Sequence, residues 1–146
     1  MILERGNIWD YYDLGYLAII PTNIGYKANG DNVMGRGLAK QASIRFPDLP
    51  KKYGRICKEK LEKAAFWHWK ANNIICLATK ELNSSATAIS WKQNSSLTQI
   101  ETSLQYFVKW LDEYLIKDNK IKIAMSLLGC GNGGLRKDIV MPLLTK

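Results

Sequence analysis

Two short clusters of glycine are the parts of this 146-residue sequence best placed to do chemistry. Of its 11 glycines, four stand at Gly25, Gly30, Gly35 and Gly37, and four at Gly129, Gly131, Gly133 and Gly134. Each cluster follows an apolar run and leads into a helix-like pattern, which aims backbone N–H groups at an anion. Glycine suits such loops because a bulkier residue obstructs positive φ and the close approach of an oxyanion. Turns collect glycine too, so one such loop says little and two behind two strands say more. Neither cluster ends in Gly-Lys-Ser/Thr and neither has GxGxxG spacing, which argues against ATP hydrolysis and hydride transfer.

The elements that must position these loops can be read along the chain. Met1–Glu4 suits a short first strand ending at a turn, Arg5-Gly6-Asn7. Tyr16–Ile20 is a continuous apolar run, expected as a strand buried on both faces and stopped by Pro21. Residues 23–33 form a polar loop, followed by a helix from Gly35 through Leu38, Ala39, Ala42 and Phe46 to the stop at Pro47, and a basic helix over Leu49–Lys63. Phe66–Lys70 and Ile74–Ala78 read as two strands joined tightly at Ala71-Asn72-Asn73, the second running into Thr79-Lys80. A helix begins near Ser95 or Ser96, where Ser96 and Gln99 have capping-box spacing, and carries Leu97, Ile100, Leu104, Phe107, Val108, Leu111 and Leu115 on one face. A strand over Ile121–Leu128 delivers the second glycine cluster, and Leu135–Leu144 is expected to be helical. Strands alternating with helices predict an α/β fold with ligand loops at strand ends. With no repeat or linker, residues 1–146 read as one domain.

Composition narrows the setting. Hydrophobic residues make up 47% and charged residues 23%, the balance of a globular protein. Cys57, Cys76 and Cys130 lack CxxC spacing and His68 is the only histidine, so neither a disulfide framework nor a metal site is expected. No leader-like or membrane-spanning apolar run is present, which predicts a cytoplasmic protein without a membrane partner. The net charge is +8, and Arg36, Lys40, Arg45, Lys51, Lys52, Arg55, Lys58, Lys60 and Lys63 stand against Asp48, Glu59 and Glu62 in the stretch 32–63. Such a region fits an anionic partner, a nucleotide or a nucleic acid, and also fits a solvated helix surface.

Certain motifs carry a resemblance. Thr22-Asn23, Asn32-Val33-Met34-Gly35-Arg36-Gly37-Leu38-Ala39 leading to Phe46-Pro47, Leu77-Ala78-Thr79-Lys80, and Leu128-Gly129-Cys130-Gly131-Asn132-Gly133-Gly134-Leu135 resemble macrodomains. The branch is that of the terminal ADP-ribose protein glycohydrolase and the DarG-type antitoxins with their small phage and bacterial relatives. The similarity runs in order from Gly6 to Leu144. It implies a mixed β-sheet sandwiched between helices, with ADP-ribose in a cleft at the strand ends and no cofactor. Asn7 and Ile8 would contact adenine, and Asn23 would lie near the distal ribose. Val33, Met34, Gly35, Arg36 and Gly37 would form one wall around the diphosphate, and Gly129, Cys130, Gly131, Asn132, Gly133, Gly134 and Leu135 the other. Lys80 matches the lysine that the hydrolytic branch uses for catalysis.

The sequence departs from the family at several of these positions. Asn7 replaces the usual aspartate, a weaker partner for an exocyclic amine. Gly133 stands where the protein glycohydrolase has the aspartate that works with the lysine; DarG-type sequences also carry glycine there. Arg136-Lys137 replace their Asp-Trp, and the sequence ends before the late aromatic that often stacks on adenine, so that end is expected to be open or built differently. The resemblance implies hydrolysis of an ADP-ribosyl linkage at ribose C1″ on a nucleic acid or protein, with Lys80 acting either as an amine at C1″ or as an ammonium on the leaving group. A binder of ADP-ribose or a related nucleotide signal, and a nucleic-acid protein using the 36–63 region, are the alternatives. His68 and the tryptophans Trp67, Trp69, Trp91 and Trp110 read as packing or rim residues. Cys130 reads as a small loop side chain.

Overall fold

The computed structural model describes residues 7–81, 97–117 and 121–126. In chain order the elements are α1 (Ile8–Asp13), β1 (Leu17–Ile24), α2 (Gly37–Arg45), α3 (Leu49–Lys60), β2 (Phe66–Trp69), β3 (Ile74–Glu81), α4 (Leu97–Lys117) and β4 (Ile123–Met125). Short 3-10 turns at Leu61–Ala65 and Lys70–Asn72 lead into β2 and β3. The four described strands form one sheet in the order β2-β3-β1-β4. β1 runs parallel to both β3 and β4, and β2 pairs antiparallel with β3, so the sheet is mixed.

Alternation along β1 sorts the core into two layers. Ala18 and Ile20 face a cluster with Leu49, Tyr53 and Cys57 of α3 and Ala39 and Ala42 of α2. Leu17 and Ile19 face the opposite cluster, with Ile75, Leu77 and Ile100 of α4. Both faces of β1 and β3 are thus covered, which is why these strands read as unbroken apolar runs. β2 carries aromatic residues on each side. Trp67 stacks on Tyr53 with centroids 5.7 Å apart, while Phe66 stacks on Phe107 at 5.7 Å and His68 meets Trp110 edge-on at 5.0 Å. Trp67, Trp69, Trp110 and His68 are packing residues, as expected.

Three expectations need correction. β1 does not stop at Pro21 but runs to Ile24. The N–H of Ala18 points to β3, bonding Asn73 O, and that of Leu17 points to the β4 side, bonding Lys122 O. Odd positions therefore face β4, whose described pairing covers Leu17 to Ile19, so the missing N–H of Pro21 lies on the β4 side and takes nothing from the β1–β3 ladder. Asn7 is not simply part of a turn: its Oδ1 accepts from Trp9 N at 3.0 Å and caps α1, an element the apolar pattern did not announce. The basic helix ends at Lys60 and not at Lys63, because Leu61 takes φ +52° and breaks the turn. The expected strand Met1–Glu4, Ser96, and the helix Leu135–Leu144 lie outside the described residues. No described helix is long and apolar enough to cross a membrane.

Candidate ligand-binding site

The parallel strands β1 and β3 end side by side, and their last residues do not follow the register of the rest. Thr22 is opposite Ala78, but Asn23 is opposite Lys80, so Thr79 is an extra residue on β3. A bulge of this kind re-aims side chains at a strand end. Here it sets Asn23 beside Lys80, two residues expected at the site from separate motifs. Lys80 is half-buried, and that burial lowers its pKa below the ordinary lysine value, so its amine form is more accessible than that of a surface lysine.

Asn23 is 5% exposed and already partnered. Its Nδ2 donates to Val33 O at 2.8 Å, and its Oδ1 accepts from Asn32 Nδ2 at 3.0 Å. One N–H and one carbonyl lone pair of its amide remain for a ligand. Thr22 continues the polar line inward: its hydroxyl donates to Tyr53 OH at 3.3 Å, and Tyr53 OH donates to Ala64 O at 2.8 Å. Tyr53 is fully buried, and this burial drives its pKa far above the usual phenol value, so it stays neutral.

The segment from Gly25 to Gly37 leaves β1 and folds back over α3. Asn32 N donates to Pro50 O at 2.8 Å. Gly54 lies directly beneath: a Cβ there would collide with Gly30 O and come within 2.7 Å of Asn32 N. Glycine is therefore required at position 54 for the loop to lie against the helix. Val33 and Met34 are buried, so their side chains face the core, and Val33 O already accepts from Asn23 Nδ2. Gly35, Arg36 and Gly37 are exposed. Gly37 has φ +64°, a conformation that favours glycine, and starts α2 two residues later than the pattern suggested. Arg36 is the N-cap but supplies no side-chain cap, which leaves the first-turn N–H groups of α2 without one, a suitable arrangement for an anion.

Asn7 and Ile8 sit at the start of α1, joined to this wall through α2 and not through the strand ends. Trp9 Nε1 donates to Gln41 Oε1 at 2.8 Å, and the Arg45 guanidinium lies 4.5 Å from the Trp9 ring while its Nη2 pairs with Asp13 at 2.9 Å. Asn7 is exposed and Ile8 packs against the α2–α3 cluster. Gly129, Cys130, Gly131, Asn132, Gly133, Gly134, Leu135 and Trp91 lie outside the described residues. Among the described residues no group of three His, Cys, Asp or Glu side chains gathers as metal ligands. Two residues were given no role by the sequence. Asn32 opens one of the quoted motifs but was assigned no contact, and Gly54 left a usable signal, a lone glycine inside a helix.

No family model matches the chain. A curated relative, the DNA ADP-ribosyl transferase-DNA ADP-ribosyl glycohydrolase fusion protein of Thermosipho africanus, is 31% identical over 132 residues. The alignment covers 81% of this chain and 33% of that protein, so the chain spans a third of the relative's length. Among solved structures, the macrodomain of Mycobacterium tuberculosis DarG superposes with a TM-score of 0.66 at 23% identity, covering 97% of this chain and 85% of that one. Thermosipho africanus DarTG in complex with ADP-ribose gives 0.62 at 24%, covering 95% and 36%. The mixed sheet flanked by helices is thus the macrodomain fold. Within that fold the chain is related to the DarT–DarG proteins, at low identity and over part of their length.

Proposed function

We propose that residues 1–146 form a single macrodomain that binds ADP-ribose and hydrolyses an ADP-ribosyl linkage at ribose C1″. The observation that carries this reading is the bulge that brings Asn23 and Lys80 opposite each other at the strand ends, beside Val33–Gly37 and the uncapped start of α2. Such an end-of-sheet corner matches the chemistry of the ligand. N–H groups of the loop and the first helical turn suit a diphosphate. The spare N–H and lone pair of Asn23 suit vicinal hydroxyls of a ribose. Lys80, with its lowered pKa, suits a role at the anomeric carbon, where cleavage passes through an oxocarbenium-like state. Asn7, Ile8 and residues 129–135 are assigned to the adenine end and the second wall by resemblance alone.

The name of the Thermosipho relative supports DNA as the acceptor. So does the basic region: all nine Lys and Arg side chains between Arg36 and Lys63 are exposed, and Lys51, Arg55 and Lys58 recur at i, i+4 and i+7 on α3. A phosphate backbone is the partner that such a stripe would serve.

A comparison of Lys80→Ala with wild type, on ADP-ribosylated DNA and on an ADP-ribosylated peptide, tests the reading. The variant keeps its affinity for free ADP-ribose and loses release by about 10²-fold or more. If the amine attacks C1″, the rate rises with pH as the ammonium is lost, with a midpoint below that of an ordinary lysine; a rate that falls with rising pH assigns the ammonium form instead. Preference for the DNA substrate, fading steeply with salt, supports the basic region as its contact. Wild-type protein that binds ADP-ribose and turns over neither substrate would make the chain a binding module, and equal rates for variant and wild type would remove Lys80 from the chemistry.

A further inference from the structure

Behind the Asn23–Lys80 corner lies Asn32, only 1% exposed. Its Nδ2 approaches Gly25 O at 2.8 Å, Asn23 O at 2.9 Å and Asn23 Oδ1 at 3.0 Å. An amide nitrogen has two hydrogens, so three acceptors share them. Its Oδ1 is buried, and no donor among the described residues reaches it. The amide cannot be reversed, because its oxygen would then face three other oxygens. An unpaired buried carbonyl is a cost that loop closure alone does not explain.

The fixed direction of Asn32 passes to its neighbour. With Asn32 donating, Asn23 must present Oδ1 on that side and Nδ2 toward Val33 O, which it meets at 2.8 Å. The spare donor and acceptor of Asn23 then occupy set positions opposite Lys80. Asn32 is itself braced from below, through its N–H on Pro50 O and through the loop's contact with Gly54. Its thiol neighbour Cys57 has its pKa raised, chiefly by burial, and so remains uncharged beside this network.

We propose that Asn32 is a positioning residue: it sets the amide orientation of Asn23, and through it the placement of a ligand sugar relative to Lys80. The proposal rests on the ADP-ribose reading of the site. Asn32→Ala in the full chain is expected to weaken ADP-ribose binding by roughly three- to tenfold, the loss of one hydrogen bond's worth of order. Release should fall further, on the order of a hundredfold, because a misplaced sugar harms the reacting geometry more than the bound state. In an Asn23→Ala background the same substitution should change neither quantity further. A folded Asn32→Ala protein with unchanged binding and release overturns the proposal, as does an effect that persists in full without Asn23.

Two measurements separate this from failure of the underlying reading. Wild-type protein that does not bind ADP-ribose by calorimetry removes that reading, yet the link between the two amides is still testable by a double-mutant cycle in thermal unfolding. Coupling supports the link and additivity overturns it. If the alanine variants do not fold, the wild-type side-chain amide resonance of Asn23 decides: slow exchange supports a locked amide, and free exchange refutes it.

Discussion

The two faces of the sheet are built from different materials. Against α2 and α3, the strand ends bury Thr22 bonded to Tyr53 at 3.3 Å and Asn23 bonded to Asn32 at 2.9 and 3.0 Å. Against α4 the packing is nearly all apolar, through Leu17, Ile19, Ile75, Leu77 and Ile100. Polar contacts described there include Gln99 Nε2 to Ser103 Oγ at 3.2 Å and Ser103 Oγ to Ala78 O at 2.7 Å. Buried polar groups add less net stability than apolar ones of the same size but fix direction, whereas apolar contacts stabilise without aiming anything. The division shows which face is held by apolar packing and which by directed hydrogen bonds.

The sharpest way to break this contrast is to damage the apolar face alone. Ile100→Ala removes a fully buried side chain from the α4 layer and is expected to cost about 2–5 kcal/mol of stability. Denaturant unfolding reads that loss, and calorimetry on the still-folded fraction should find ADP-ribose affinity unchanged. A parallel fall in affinity would mean that the α4 layer also shapes the site.

A smaller and opposite pattern is expected at Gly54. An added methyl would meet Gly30 O, Asn32 N and Asp31 C, all main-chain atoms, so the loop itself must move. Gly54→Ala gains helix propensity but should lose about 1–3 kcal/mol net through this overpacking. Because the displaced loop carries Asn32, ADP-ribose affinity should fall with it. Loss of stability with full retention of affinity would show that the loop's seat on α3 and the ligand wall are independent.

The layers of this fold were more legible than its aim. Unbroken apolar runs marked β1 and β3 because both faces are covered, and the period of Ile100, Leu104 and Phe107 marked α4. Pro21 misled because its tolerance depends on which neighbouring strand its missing N–H would face, a pairing that residue 21 does not encode. α1 was missed because six residues are too few to show a period, although Asn7 followed by Asp10 carried the capping and first-turn charge signals. In the site, Asn23 and Lys80 came from motifs, but the extra residue Thr79 that aligns them is a property of paired strands. The role of Asn32 stayed hidden since nothing in Asn29-Gly30-Asp31-Asn32 distinguishes its buried amide from the exposed one of Asn29.

The smallest effect concerns pH and belongs to the apolar face. His68 is half-buried against Trp110 and Tyr114, and burial, followed by the charge of Lys70, lowers its pKa below the ordinary value. The unfolded chain regains a histidine pKa of about 6.5. As pH falls through that value the unfolded state takes up a proton that the folded state does not yet bind, so stability declines. The decline stops once pH drops below the folded pKa, where both states are protonated. His68→Phe keeps an aromatic ring beside Trp110 and removes the proton, so the difference in unfolding free energy between wild type and variant should shift against wild type between pH 7 and 5. If the two proteins lose stability in parallel over that range, the imidazole is solvated, and the α4 face is less dry than its packing implies.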